Sequence, residues 1–286
     1  MMTCLRTLLP LCLLVALTSP VLACQQQQVH PKKTHFQDAQ SWPATQPGEV
    51  TLKNFRPFRA VYQRNYTQGA GPGAGEPRTD RIIITAEEVG WDGQAAIAIT
   101  LIDTGDPQYD DTNGRTLFMY VKREDLSLLF EVGPSPGKAK DYYVGRKMAD
   151  KIVLNKVTTD TGDNEFQSME TSLPGFGPGS WVMANMDLKQ GMKIRLDPVY
   201  SLPNALTGFA NMGYVVGKET YTDLSGTTYE AWMVEHSTNL ANATVARRPL
   251  IDHPPYLLGT EMVNLDTGEK GSYSIRLISF EYLGEE

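Results

Sequence analysis

The segment "DRIIITAEEVGWDGQAAIAITLIDTGD" at residues 80–106 decides the class of fold. Two runs rich in isoleucine, alanine and threonine flank the pair Asp92-Gly93. An Asp-Gly pair between such runs is a strong signal for a two-residue hairpin turn, because both residues tolerate a positive φ. The segment therefore predicts two antiparallel strands joined at Asp92-Gly93.

Strand signals continue on both sides of this hairpin, with turn residues between them and room only for short helices, for example around Leu202 to Phe209. Such a pattern is typical of antiparallel sandwiches, barrels and open half-barrels. We therefore expect an all-β fold, a single antiparallel curved sheet that is half-barrel or barrel-like with few short helices. The other strand-rich stretches are residues 58–66, 115–133 (turning at Arg123 to Asp125), 141–160, 191–200, 212–236 (turning at Ser225-Gly226) and 256–284.

The first 23 residues have the features of a secretory signal peptide. Arg6 supplies the positive charge, Leu8 to Leu17 form an apolar segment too short to span a bilayer, and small residues precede the cleavage point. Of the three cysteines, only Cys24 would remain in the mature chain. Because one cysteine cannot form an internal disulfide, a thiol at this position requires another explanation.

The sequence "VLAC" at residues 21–24 resembles a bacterial lipobox, in which the cysteine is acylated and becomes the new N-terminus. The alternative is ordinary cleavage after Ala23, which would leave a free thiol. The resemblance implies a lipid anchor at Cys24, and Gln25 after it favours the outer membrane by similarity to Gram-negative sorting rules. The expected location is the cell envelope, on an outer membrane and facing the periplasm.

Residues 25–50 are polar, rich in glutamine and proline, and show hardly any apolar periodicity. Such a composition is typical of a flexible linker. We therefore expect a signal peptide at residues 1–23, a lipidated flexible tether at 24–50 and an antiparallel β domain at 51–286.

The net charge of −7 comes without any basic stripe, so a nucleic-acid partner is not expected. Zinc-type Cys/His spacing is missing, as is a Gly-x-Ser-x-Gly motif, and we expect neither a cofactor nor catalysis. Calcium remains an open alternative for the loop at residues 103–111, which gathers four aspartates. Those aspartates are Asp103, Asp106, Asp110 and Asp111.

Three Asp-Thr-Gly triplets raise the possibility of an aspartic protease, whose catalytic loops begin in this way. In that family the residue after glycine is small or hydroxylic, whereas an acidic residue follows each triplet here. A third acid would disturb the proton shared by the catalytic pair. We interpret the triplets as turns, in which glycine supplies a positive φ. They begin at Asp103, Asp160 and Asp266.

Aromatic residues on or beside the expected strands are the candidates for ligand binding. On the concave face of an incomplete barrel they could hold an acyl chain or another apolar molecule. Residues 172–186, which combine glycine, proline and methionine, could form an adjustable flap over that groove. The candidate residues are Trp91, Phe118, Tyr120, Trp181, Tyr214 and Trp232.

Two C-terminal stretches, "VVGKETYTDLSGTTYEAWMVE" (215–235) and "HPPYLLGTEMV…GSYSIRLISFE" (253–281), resemble a bacterial family of exported proteins of unknown function. That family is similar in architecture to the curved half-barrels of the LolA/LolB lipoprotein carriers, and it implies no catalytic residues here. The leading hypothesis is thus an envelope lipoprotein that binds or carries a hydrophobic ligand or a lipidated partner in a half-barrel groove. The alternative is a non-catalytic structural or protein-interaction module of the outer membrane.

Overall fold

The computed structural model describes a β domain within the compact unit Pro31–Glu286. Residues 1–23, where a signal peptide is expected, and Cys24 lie outside the described residues, as does most of the loop at 103–111. The described residues are 35–45, 49–67, 75–104, 115–134, 141–148, 151–158, 164–170, 177–199, 209–237 and 244–284.

The described residues form fourteen strands, a 3-10 turn at Ala39–Ser41 and one α-helix, α1, at Gly179–Ala184. None of the described helices is both long and apolar enough to cross a membrane. The strands are β1 (Phe58–Thr67), β2 (Pro77–Trp91), β3 (Gln94–Asp103), β4 (Arg115–Lys122), β5 (Leu128–Pro134), β6 (Asp141–Met148), β7 (Lys151–Thr158), β8 (Asn164–Glu170), β9 (Lys193–Val199), β10 (Phe209–Thr222), β11 (Thr228–Ser237), β12 (Thr244–Leu250), β13 (Gly259–Asn264) and β14 (Lys270–Tyr282).

All fourteen strands belong to one antiparallel sheet, in the order β8-β7-β6-β5-β4-β3-β2-β1-β14-β13-β12-β11-β10-β9. β1 lies at the centre of the sheet, and β2 to β8 follow one another as neighbours from β1 to one edge. β9 forms the other edge, and β10 to β14 follow as neighbours back to the centre, where β14 pairs with β1. Among the described strands β8 and β9 do not pair with each other, so the sheet is open rather than a closed barrel. The predicted all-β, single-sheet, barrel-like fold is confirmed.

The hairpin of β2 and β3 turns at the expected residues. Asp92 has φ +50° and Gly93 has φ +78°, and Trp91 pairs with Gln94 on either side of them. Positive φ at both central positions is what a two-residue hairpin with right-handed strand twist requires. The turns predicted at Arg123 to Asp125 and at Ser225-Gly226 are also present.

The core lies on one face of the sheet, which we call the inner face. Along β1, Phe58, Ala60 and Tyr62 are buried at every second position, as a half-buried strand requires. The connection from β8 to β9 places α1 on this face, where the Trp181 ring lies 5.4 Å from that of Phe58 and 5.3 Å from that of Tyr256. α1 therefore packs against the inner face.

Residues 35–45 differ from the expected tether, because they pack on the outer face of the sheet. Phe36, Ala39 and Trp42 are buried there in one apolar cluster with Met212 of β10 and Val245 of β12. The three residues are spaced by three along the chain, and the 3-10 turn at Ala39–Ser41 aligns residues with that spacing. The folded domain thus includes His35 to Thr45, which the expected boundary at residue 51 left out.

Candidate functional site

Three of the six candidate aromatic residues lie together on the outer face of β2 to β5. Tyr120 sits between Met119 and Val121, whose side chains are buried in the core, so its own ring points to the other face. Its ring centroid lies 4.4 Å from that of Trp91 and 5.8 Å from that of Phe130.

The fourth member of this group is Phe118, two positions before Tyr120 on β4, so its side chain projects from the same outer face. It is 46% exposed, whereas most phenylalanines of folded proteins are buried. We call Trp91, Phe118, Tyr120 and Phe130 the aromatic patch. The rings of Trp91, Tyr120 and Phe130 are held against each other, so these side chains have little conformational entropy left to lose, and Phe118 adds an exposed ring on the same face.

The other three candidate residues lie elsewhere. Trp181 is 2% exposed and belongs to the core around α1. Tyr214 lies on the outer face of β10, where the ring of His35 stacks on it with the centroids 3.9 Å apart. Trp232 is partly buried against the core, with the Lys218 ammonium 5.1 Å from its ring. The six residues therefore do not line one groove, and α1 fills the part of the inner face where a groove was expected.

A buried ion cluster occupies one end of the inner face. The Arg64 guanidinium on β1 donates two hydrogen bonds to Asp80 on β2 and two to Asp103 on β3. The three side chains are only 13%, 7% and 12% exposed. Although burial opposes the charged form, the hydrogen bonds that Arg64 donates to both carboxylates, and the negative charges of those carboxylates, raise the pKa of Arg64 above its usual range.

This ion cluster shows which role Asp103 has, the residue that begins the first Asp-Thr-Gly triplet. Asp103 accepts from Arg64 with both carboxylate oxygens at 2.7 Å, so it is held as an ion-pair partner. The triplet at Asp266 forms the turn between β13 and β14, with Gly268 at φ +74°, as predicted. The triplet at Asp160 lies outside the described residues.

A second polar group lies nearby on the same inner face. His236 of β11 donates from Nε2 to the Asn211 side-chain oxygen of β10, and burial followed by the charge of Arg248 holds the pKa of His236 well below its usual range. The pKa of Tyr273 on β14 is raised, chiefly by burial, and it responds to the charges of both Arg64 and Arg248.

A cavity of about 530 Å³ opens among the strands β1 and β10 to β14, and its lining mixes charges of both signs. Lys270 pairs with Glu261 at 2.7 Å across its rim. Within the described residues no group of acidic, histidine or cysteine side chains is arranged to hold a metal ion. The loop proposed for calcium falls outside that description after Thr104.

Sequence reasoning missed both Arg64 and Arg248, although a signal was available for the second. In β12, "TVARRPL", side chains alternate between the two faces, and Arg248 occupies an inner-face position between Ala246 and Leu250. An arginine at an inward position of a strand is unusual enough to mark a site.

The fold of this chain is similar to that of a solved structure of unknown function. It is the crystal structure of a β-barrel-like protein of domain of unknown function DUF1849 from Brucella abortus, with a TM-score of 0.42 and 11% sequence identity. The match covers 80% of this chain and 99% of that chain. A scan against protein-family models and a search of curated proteins gave no match.

Proposed function

We propose that this protein is a non-catalytic lipoprotein of the cell envelope, anchored through Cys24, that binds an acyl chain on the aromatic patch. The chain would come from a free lipid or from a lipidated partner. The observation that carries the proposal is the exposure of Phe118 on the same face as the packed rings of Trp91, Tyr120 and Phe130. The location rests on the signal peptide and lipobox patterns at residues 1–24.

The physical basis is the apolar area that the patch leaves in water. Covering a phenylalanine side chain is worth about 1.5–3 kcal/mol, so an acyl chain that covers several rings would be bound with useful affinity. Aromatic rings suit this task because they offer a flat apolar contact with few rotatable bonds. The proposal places the ligand on the outer face, since α1 and the core occupy the inner face where it was first expected.

Titration of a dansyl-labelled fatty acid into the mature chain carrying Cys24→Ser tests this. Phe118→Ser should weaken binding about tenfold, which corresponds to about 1.4 kcal/mol of lost contact. Leu224→Ser is the matched control, because Leu224 is an equally apolar residue that is 39% exposed at the tip of the β10–β11 hairpin.

The same titration with a triacylated lipopeptide separates the two sources of the chain. Tighter binding of the lipopeptide would indicate a lipidated partner, and tighter binding of the fatty acid a free lipid. Equal affinities in wild type, Phe118→Ser and Leu224→Ser would contradict the proposal and would favour the structural or protein-interaction module.

A further inference from the structure

The cavity of about 530 Å³ among β1 and β10 to β14 has room for a small molecule. Pockets that bind small molecules typically measure about 300–1,000 Å³. Three buried residues contribute to the lining of this cavity, and they offer two apolar surfaces and one hydroxyl. They are Met233, Pro249 and Thr260. The cavity therefore combines space with surfaces that a small ligand can contact.

Three of the charged residues in the lining are bonded within the protein. The Lys270 ammonium lies 2.7 Å from a carboxylate oxygen of Glu261. The Arg276 guanidinium donates to the backbone carbonyl of Thr222 at 3.1 Å. The remaining two charged residues of the lining are one arginine and one glutamate, and neither has such a bond to a described residue.

The arginine is Arg247 on β12. It lies two positions after Val245, so its side chain is on the outer face of the sheet. Its guanidinium donates no hydrogen bond to a described residue: Nε is buried without an acceptor and lies 3.5 Å from the Glu235 carboxylate. Arg64, by comparison, donates four hydrogen bonds to two carboxylates. Arg247 thus keeps the donors of its guanidinium for a ligand.

The glutamate is Glu219 on β10. Among the described residues its carboxylate has neither a hydrogen-bond donor nor a cation within ion-pair distance. Its charge and that of Arg247 act on one carboxyl, because burial raises the pKa of Glu235, Arg247 lowers it and Glu219 raises it. Glu219 pairs with Ala231 and Arg247 pairs with Glu235 on β11. These positions are set about 13 Å apart along that strand, so the cation and the anion occupy separate parts of the cavity.

We propose that the cavity binds a short peptide, with its C-terminal carboxylate on Arg247 and its N-terminal ammonium on Glu219. A guanidinium matches a carboxylate with two parallel hydrogen bonds. A free amino acid carries both charges on one carbon atom, whereas a peptide of about two or three residues separates them by about 3.3–3.6 Å per residue, which suits two groups set apart along β11. Met233 and Pro249 would contact an apolar side chain of the peptide.

Calorimetric titration of the mature chain carrying Cys24→Ser tests the cavity with four probes: the dipeptide Ala-Leu, its C-terminal amide, its N-acetyl derivative and free leucine. We expect Ala-Leu to bind most tightly. The amide lacks the carboxylate and should bind about 10-fold to 100-fold more weakly, the range of one charge-assisted hydrogen bond. The N-acetyl derivative lacks the ammonium and should bind about twofold to fivefold more weakly, because Glu219 is exposed.

Variants at the two charged residues test the two ends of the peptide separately. Arg247→Met should abolish the preference for Ala-Leu over its amide, and Arg247→Lys should retain part of it while keeping a cation beside Glu235. Glu219→Gln should abolish only the preference over the N-acetyl derivative. A purely structural role would lower the affinity for all four probes together. Arg247→Lys and Glu219→Gln keep the test decisive even where Arg247→Met fails to fold.

Arg59→Met and Glu281→Gln are the controls for net charge, because these two residues form an exposed ion pair outside the cavity lining. Both should leave the preferences unchanged, as should Phe118→Ser, since no residue of the aromatic patch lines the cavity. The inference would be overturned by equal affinities of the wild type for Ala-Leu and its two blocked forms, by no binding of Ala-Leu to the folded protein, or by tighter binding of leucine. Unchanged preferences in Arg247→Met and Glu219→Gln would also overturn it.

Discussion

Arg64 on β1 binds both carboxylate oxygens of Asp103 on β3, each at 2.7 Å, across the intervening strand β2. Asp80 on β2 binds the same guanidinium from the middle strand. The aspartate that opens the first Asp-Thr-Gly triplet thus ties three strands together on the inner face. A motif that suggested catalysis has a structural role here.

Removal of the central cation of this cluster should be costly. Arg64→Met removes the cation that two nearly buried carboxylates share, and we expect the free energy of unfolding to fall by about 3–5 kcal/mol. Urea unfolding measures this. The triple variant Arg64→Met, Asp80→Asn, Asp103→Asn should recover part of the loss, and a change below about 1 kcal/mol in Arg64→Met would contradict the role assigned to the cluster.

Stability should depend on pH through His236. The native pKa of His236 is depressed, so below about pH 6.5 the unfolded chain binds a proton that the native state does not. Neutral His236 therefore contributes its full share to the free energy of unfolding above about pH 6.5. As the pH falls below that value, the free energy of unfolding decreases by up to about 1.4 kcal/mol per pH unit.

His236→Gln keeps a donor for Asn211 and cannot titrate, which makes it the variant for this comparison. Unfolding free energies at about pH 7.5 and about pH 5.5 should differ less in His236→Gln than in the wild type. An identical pH dependence in both proteins would show that the pKa of His236 does not differ between the native and the unfolded state, and would contradict its depression by burial.

The N-terminal segment that packs on the outer face should contribute to stability. Trp42 is 4% exposed, and Trp42→Ala should lower the free energy of unfolding by about 3–5 kcal/mol. Gln40→Ala is the control, since the Gln40 side chain is exposed and only its carbonyl contacts Arg195. If both variants stay within about 0.5 kcal/mol of the wild type, residues 35–45 behave as a tether after all.

The close packing just before α1 should make substitution of Gly177 by a larger residue destabilising. A Cβ atom at Gly177 would overlap the Val121 side chain and lie 3.2 Å from the Leu126 carbonyl oxygen. Gly177→Ala should therefore destabilise the domain by about 1–3 kcal/mol in denaturant unfolding. Gly90→Ala in β2 meets no atom within 4 Å and should be neutral or stabilising, so equal losses in the two variants would argue against the packing described.

Local sequence signals predicted the strands and their turns, because alternation and residues such as Asp92-Gly93 act over a few positions. They could not predict which distant strands meet: β1 pairs with β14, and nothing in either strand encodes that partner. The packing of Phe36 and Trp42 could not be predicted for the same reason, because their partners Met212 and Val245 lie far along the chain.

The aromatic residues show the same limit at the candidate site. Position along the chain placed Trp91, Phe118 and Tyr120 on strands, but only the register of the sheet assigns them to the outer face and Trp181 to the core. A ligand-binding surface is formed by side chains that share one face of the sheet. Which side chains share a face depends on how the strands pair, and local sequence signals do not specify that pairing.

The most direct test of the central claim is the intact mass of the mature Cys24→Ser chain, measured under native and denaturing conditions after export to the cell envelope. We predict an additional mass of one acyl-bearing molecule that is lost on denaturation and is reduced in Phe118→Ser but kept in Leu224→Ser. An unchanged mass in the well-folded wild type, with no acyl chain recovered on extraction, would contradict acyl-chain binding by the aromatic patch.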